Sequence, residues 1–160
     1  MNVAGFMLTG VMIGAFGVAL ILFFPKRFIT NIGSVLIILF GVGFLLVGNF
    51  SCDAGCPRDG SLENTIHDRI SGPMFLSAIA GILLLGISFR DLPLWRQLWL
   101  YSVLSALLSF GFVVVLINSI ESNSLPGMWQ RLLIFAIFLW CGIVSLRMFN
   151  LSQRKSLKDI

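Results

Sequence analysis

The chain has 160 residues, the length of a single domain, and 58% of them are hydrophobic whereas 11% are charged. Soluble proteins are roughly 45–50% apolar and about 25% charged, so this composition cannot build a water-facing surface. The formal net charge of +4 does not indicate nucleic-acid binding, because the basic residues stand at the ends of apolar runs, as membrane orientation requires. The sequence therefore predicts an integral membrane protein with no nucleic-acid partner.

Five apolar runs are long enough to cross a hydrocarbon core of about 30 Å. No Lys or Arg precedes the first run, which is longer than the roughly 7–15 apolar residues of a signal peptide, so we expect a retained span. The runs are continuous rather than alternating, which favours helices over a barrel. We predict an all-α bundle of five transmembrane helices, forming one domain over 1–160, with spans at about 3–24, 32–50, 71–89, 97–117 and 128–148.

Span one carries Gly10 and Gly14 at a spacing of four, followed by Gly17. Such a smooth helix face allows close helix approach, either within the chain or between two chains. Gly41 and Gly43 give span two a similar property. Membrane lipids, a second copy of the chain and another membrane protein are therefore all open as partners.

A polar segment at 51–71 follows span two and holds Cys52, Cys56 and the only histidine, His67. An extracytoplasmic location favours disulfides, so a Cys52–Cys56 disulfide is our leading interpretation. Free thiols, a redox pair and a zinc site with Asp53 and His67 are the alternatives. The pair lacks C-x-x-C spacing and a single distant histidine is a weak metal signal, so no metal or cofactor is predicted.

Thr65 and Asp68 have the spacing of a capping box, which predicts that the third helix starts near Thr65 and that His67 lies in its first turn. Arg131 lies at the start of span five, on the same side as Asp53 and His67. These three residues could bind an anionic headgroup or orient a hydrolytic water. The alternative is a set of interfacial salt bridges that pin three helix ends.

Span four carries Ser102, Ser105 and Ser109 at helical spacing, so we expect them to share one face and to hydrogen-bond to a neighbouring helix. Aromatic residues near span ends are expected at the headgroup level; they are Trp95, Trp99, Tyr101 and Trp129. The middles of the spans contain no Asp, Glu, Lys, Arg or His, which argues against a proton- or ion-coupled transporter.

The Lys and Arg residues, 11 in total, are divided unevenly between the two sides of the predicted bundle. One side holds Lys26, Arg27, Arg90, Arg96, Arg147, Arg154, Lys155 and Lys158, and the other holds Arg58, Arg69 and Arg131. The positive-inside rule predicts a cytoplasmic C-terminus and an external N-terminus, with segment 51–71 outside. The expected location is the cell (inner) membrane, with several passes.

Several motifs resemble those of the bacterial and archaeal membrane family known as domain of unknown function 998. Its members show a Phe-Pro-Thr-Asp segment, a His opening the next helix, a basic turn with Trp, and Glu-Arg opening a last helix that contains Trp. The corresponding residues here are Asp53, His67, the turn 90–101 and Arg131 within 127–148. The resemblance covers about 44–148 and, more loosely, the N-terminal spans. It implies the helical membrane fold and the Asp53, His67 and Arg131 cluster, but no reaction.

The chain departs from this family pattern in three places. It is one N-terminal helix shorter than a typical member, Phe50-Ser51-Cys52 stands where Phe-Pro-Thr is usual, and Gln130 replaces the acid before Arg131. The loss of that acid weakens any scheme that needs two carboxylates.

Three functions remain open from the sequence. The first is a non-enzymatic membrane protein whose Asp53, His67 and Arg131 cluster binds a lipid headgroup or a partner. The second is an outer-leaflet hydrolase or metal-dependent enzyme that uses His67. The third is a thiol/quinone redox protein that uses Cys52 and Cys56.

Overall fold

The computed structural model describes residues 3–53, 56–57, 59–122 and 124–156, with side chains as far as Arg154. Five helices make up most of this part, and no strand occurs in it. They are α1 (Val3–Phe23), α2 (Phe28–Asn49), α3 (Leu62–Phe89), α4 (Trp99–Glu121) and α5 (Pro126–Ser156), with a short 3-10 helix at Arg96–Leu98 before α4. All five are long and apolar enough to cross a membrane. The predicted all-α membrane fold is confirmed.

The start of α3 differs from the prediction. Ser61 is the N-cap, because its hydroxyl accepts a hydrogen bond from the backbone N–H of Asn64 at 3.2 Å. Thr65 lies inside the helix, where its hydroxyl donates to the carbonyl of Ser61 at 3.2 Å. The prediction of a start near Thr65 was therefore wrong, and His67 falls in the second helical turn rather than the first.

Each helix packs on the next one along the chain, from α1 to α5. Short connections make neighbours antiparallel, so the bundle has two distinct ends. We call the end that carries 51–61 the Cys52 end and the opposite one the Arg90 end. The predicted external position of the Cys52 end stays a prediction, and Arg58 and Lys158 of the charge count lie outside the described residues.

Glycines bring α1 and α2 into backbone contact. A Cβ added at Gly41 would lie 2.7 Å from the backbone nitrogen of Gly14 and 2.8 Å from the carbonyl oxygen of Gly10. The smooth face predicted for span one is thus used for packing within the chain. Association with a second copy stays a prediction.

Aromatic side chains form a compact cluster at the Arg90 end. The ring of Trp95 lies 4.7 Å from that of Phe24 and 5.0 Å from that of Phe89, measured between centroids. Trp95 is only 4% exposed, so it belongs to the protein core. Its depth in the membrane, predicted at the headgroup level, stays a prediction.

The serine face predicted on α4 is buried against its neighbours. Ser102 accepts a hydrogen bond from the indole N–H of Trp140 on α5 at 2.9 Å, as expected for a polar interhelical contact. The hydroxyl of Ser109 has no partner in the described part of the chain. Of the three serines, Ser102 makes the predicted bond to a neighbouring helix.

Helix α5 reaches α1 and α2 through large aromatic side chains. The rings of Phe16 and Trp140 are 6.3 Å apart between centroids, and those of Phe44 and Phe138 are 5.8 Å apart. Rings of this size keep the helix axes well separated. Open space therefore remains along the line where α5 faces α1.

Candidate functional site

A cavity of about 370 Å³ opens at the Cys52 end between α1, α2, α3 and α5. We call it the end cavity. Its apolar wall consists of Phe6, Phe44, Val47, Met74, Phe75 and Ile134, and its remaining lining consists of Cys52, Cys56, His67, Ser71, Gly127, Gln130 and Arg131. Met74 is seven positions after His67 on α3, so it lies about 10 Å further into the bundle at about 1.5 Å per residue. The cavity is polar near the end of the bundle and apolar further in.

His67 joins the end of α2 to α3. Its Nδ1 lies 2.9 Å from the carbonyl oxygen of Phe50, the C-cap residue that follows α2. A carbonyl can only accept, so Nδ1 carries the hydrogen and donates it. Nε2 is then left as the ring nitrogen without a protein partner in the described part of the chain. His67 lines the end cavity, where Nε2 is available to a ligand.

Arg131 supplies the charge of the end cavity. It lies in the second turn of α5, and it makes no hydrogen bond or ion pair with the residues that the structure describes. Its Nη1 passes close to Gly127, where an added Cβ would be 3.7 Å away. Among the described lining residues no other carries a formal charge. The described lining therefore carries a positive charge, and the guanidinium of Arg131 is unpaired within the described part of the chain.

Asp53 has a different role from the other two predicted site residues. Its carboxylate accepts from the backbone N–H of Ser61 at 2.6 Å and from the Ser61 hydroxyl at 2.9 Å. The hydrogen bond from the backbone N–H has the larger effect, and together the two bonds lower the pKa of Asp53 below its ordinary value. In the described part of the chain no hydrogen bond or ion pair joins Asp53 to His67 or Arg131. His67 and Arg131 share the end cavity, while Asp53 holds the N-cap of α3.

Asn64 completes this arrangement, and the sequence analysis missed it. It is fully buried. Its amide donates to the carbonyl of Pro57 at 2.8 Å and to the carboxylate of Asp68 at 3.3 Å, and its oxygen accepts from the backbone N–H of Asp53 at 3.2 Å. Both ends of the amide are satisfied, as burial requires. The sequence signal for this arrangement was Ser61, a favoured N-cap residue that lies one turn before the predicted helix start at Thr65.

Cys52 and Cys56 form a disulfide with their Cα atoms 5.3 Å apart, which confirms the predicted pairing. The turn between them is closed by a hydrogen bond from the N–H of Cys56 to the carbonyl of Asp53 at 2.9 Å. Both cysteines line the end cavity. Within the described residues, no group of three or more His, Cys, Asp and Glu side chains could hold a metal ion, so the zinc alternative gains no support.

A family model described as "Protein of unknown function (DUF998)" matches residues 1–147. The chain belongs to the DUF998 family. The match includes both N-terminal helices as well as Asp53, His67 and Arg131. Neither the curated proteins nor the solved structures contain a match to the chain. Membership in DUF998 gives no reaction, so the function has to be argued from the end cavity.

Proposed function

We propose that this protein binds the phosphate headgroup of an anionic phospholipid in the end cavity. The observation that carries the proposal is the unpaired guanidinium of Arg131 in the lining of a cavity with an apolar wall, where the free Nε2 of His67 can accept a hydrogen bond from a headgroup hydroxyl. A guanidinium matches the oxygens of a phosphate in a bidentate geometry. The apolar wall favours a lipid over a free phosphate ion, because an ion would gain nothing from it.

The sidedness of this site follows from the proposed orientation of the bundle. Seven of the basic residues in the described part of the chain belong to the Arg90 end, which the positive-inside rule assigns to the cytoplasm. The disulfide at the Cys52 end supports the same assignment, because disulfides persist outside the cytosol. The bound lipid then belongs to the outer leaflet of the cell (inner) membrane.

Lipid retention by the purified, full-length protein tests the proposal. Native mass spectrometry would compare phosphatidylglycerol with phosphatidylcholine for the wild type, Arg131→Gln and His67→Asn. The Asn amide can still donate to the Phe50 carbonyl, so His67→Asn removes Nε2 and keeps the local contact. Arg69→Gln is the matched control, because Arg69 is exposed at the same end and does not line the cavity.

We expect the wild type to prefer phosphatidylglycerol and Arg131→Gln to lose about tenfold in affinity. One charge-assisted hydrogen bond contributes about 1.5–3 kcal/mol. Because Arg131 is exposed, we expect a loss near the lower limit of this range. About 1.4 kcal/mol corresponds to a tenfold change in affinity. Arg69→Gln should behave as the wild type. Equal retention of phosphatidylglycerol by the wild type and Arg131→Gln would rule the proposal out.

A thiol/quinone redox function is the second candidate, because the Cys52–Cys56 disulfide lines the same cavity. Incubation of the reduced protein with and without a quinone, followed by alkylation of the thiols, would test it, because oxidation of the two thiols to the disulfide passes two electrons and two protons to the quinone. Thiols that stay reduced with the quinone but are oxidised by a strong chemical oxidant remove this candidate. The hydrolase alternative has less support, because Asp53 is hydrogen-bonded to Ser61 and Asp68 to Asn64.

A further inference from the structure

The line of open space between α1 and α5 continues beyond the end cavity. A groove of about 310 Å³ follows it towards the middle of the bundle. We call it the α1/α5 groove. It is lined by Thr9, Met12, Ile13 and Phe16 of α1 and by Phe138, Cys141, Gly142 and Ser145 of α5. The groove is predominantly apolar and opens to the side of the bundle, where a membrane places hydrocarbon.

The groove and the end cavity lie on the same face of α5. Arg131 and Ile134 line the end cavity, and Phe138, Cys141 and Ser145 line the groove. These positions are three or four residues apart, which places them in one stripe along an α-helix. The stripe begins with the only charged residue of the described cavity lining and continues with small or apolar residues.

Helix α1 shows the same continuity. Phe6 lines the end cavity, and Thr9, Ile13 and Phe16 line the groove at spacings of three or four. The boundary between the two spaces is aromatic, since the ring of Phe44 lies 5.8 Å from Phe6 and 5.8 Å from Phe138. The two spaces are thus neighbouring parts of one seam between α1 and α5.

We propose that the α1/α5 groove holds an acyl chain of the lipid whose headgroup occupies the end cavity. The ligand is then a whole long-chain anionic phospholipid that enters sideways from the bilayer. This inference rests on the proposed function. From Arg131 in the end cavity to Cys141 in the groove, α5 rises about 15 Å at about 1.5 Å per residue. One leaflet contributes about 15 Å of the hydrocarbon core, so the chain of a lipid whose headgroup lies at Arg131 reaches the part of the groove at Phe138 and Cys141.

Gly142 offers a way to fill the groove without disturbing the fold. A Cβ added there meets no atom within 4 Å, so Gly142→Leu places a side chain in the groove without a backbone clash. Gly111 of α4 is a matched control, because it is also exposed and its added Cβ also meets nothing within 4 Å. Gly111 does not line the groove.

Titration of the full-length protein with dioleoyl and dihexanoyl phosphatidylglycerol, read by native mass spectrometry, tests the inference. The wild type should bind the long-chain lipid about tenfold more tightly than the short-chain one. Gly142→Leu should lose this preference while its affinity for the short-chain lipid is unchanged, and Gly111→Leu should keep it.

The outcomes separate the two proposals. Equal affinity of the wild type for both lipids, with loss of both in Arg131→Gln, would overturn the acyl-chain inference and leave headgroup binding intact. Binding of neither lipid, or binding unaffected by Arg131→Gln, would overturn the proposed function itself. The chain-length comparison uses the wild type alone, so it decides the inference even where Gly142→Leu fails to fold.

Discussion

The contact between α1 and α2 leads to a sharp prediction about two glycines. An added Cβ at Gly41 would lie 2.7 Å from the nitrogen of Gly14 and 2.8 Å from the oxygen of Gly10, whereas an added Cβ at Gly14 meets nothing within 4 Å. The atoms near Gly41 belong to the backbone and cannot rotate away. The Cβ of Gly41→Ala therefore has to move α1 away from α2, whereas the Cβ of Gly14→Ala does not.

The expected difference between these two variants is about 1–3 kcal/mol in the free energy of unfolding, the usual penalty for overpacking. Both changes replace Gly by Ala within a helix, so the gain in helix propensity, about 1 kcal/mol each, cancels in the comparison. Gly14→Ala should be at least as stable as the wild type.

Unfolding of the purified variants in mixed micelles, with helicity as the readout, would measure this difference. Equal stability of Gly41→Ala and Gly14→Ala would refute the packing described here. The consequence would reach beyond stability, because α1 forms one wall of both the end cavity and the groove.

Three further predictions concern the Cys52 end. Gln130→Glu places a carboxylate beside Arg131 and should weaken phosphatidylglycerol retention about fivefold, since two charges about 4 Å apart interact by about 1 kcal/mol in water. Asn64→Leu removes the hydrogen bonds of the buried amide to Asp53, Pro57 and Asp68 and should reduce the free energy of unfolding by about 1–3 kcal/mol. The pKa of Asp53 is lowered in the folded protein, so its stabilising effect is complete above the pKa of an unfolded Asp and is lost as pH falls through the lowered value. Segment 51–61 should therefore resist pepsin at pH values just below the ordinary Asp pKa, and Asp53→Asn should lose this resistance.

Each of these predictions has its own contradicting result. Unchanged lipid retention in Gln130→Glu would mean that the cavity charge does not select the ligand. Wild-type stability of Asn64→Leu would show that the buried amide is not needed to hold the connection. Equal pepsin cleavage of the wild type and Asp53→Asn would show that the Asp53–Ser61 bonds do not order the segment.

The membrane fold was predictable because a bilayer imposes a simple rule on the sequence. Each span needs a long apolar run whose backbone groups bond internally, and that pattern is visible without tertiary information. The Cys52–Cys56 disulfide was also predictable, since the two residues are close in sequence. The family motifs directed attention to His67 and Arg131, and both residues line one cavity.

Other features depend on tertiary contacts that the sequence does not reveal. Asp53 resembled a ligand-binding residue, but its partner is Ser61, and Asn64 looked like any other polar residue of the segment. Trp95 and Gly41 have roles set by which neighbour each faces. The groove arises from the spacing of α1 and α5, two helices that are not consecutive in the chain.

The most direct test of lipid binding is an experimental structure of the protein in nanodiscs that contain phosphatidylglycerol. We predict phosphate density within hydrogen-bonding distance of the Arg131 guanidinium, a headgroup hydroxyl that donates to Nε2 of His67, and chain density that continues along α5 towards Cys141. An end cavity that contains only water, with ordered lipid phosphates elsewhere on the protein, would contradict it.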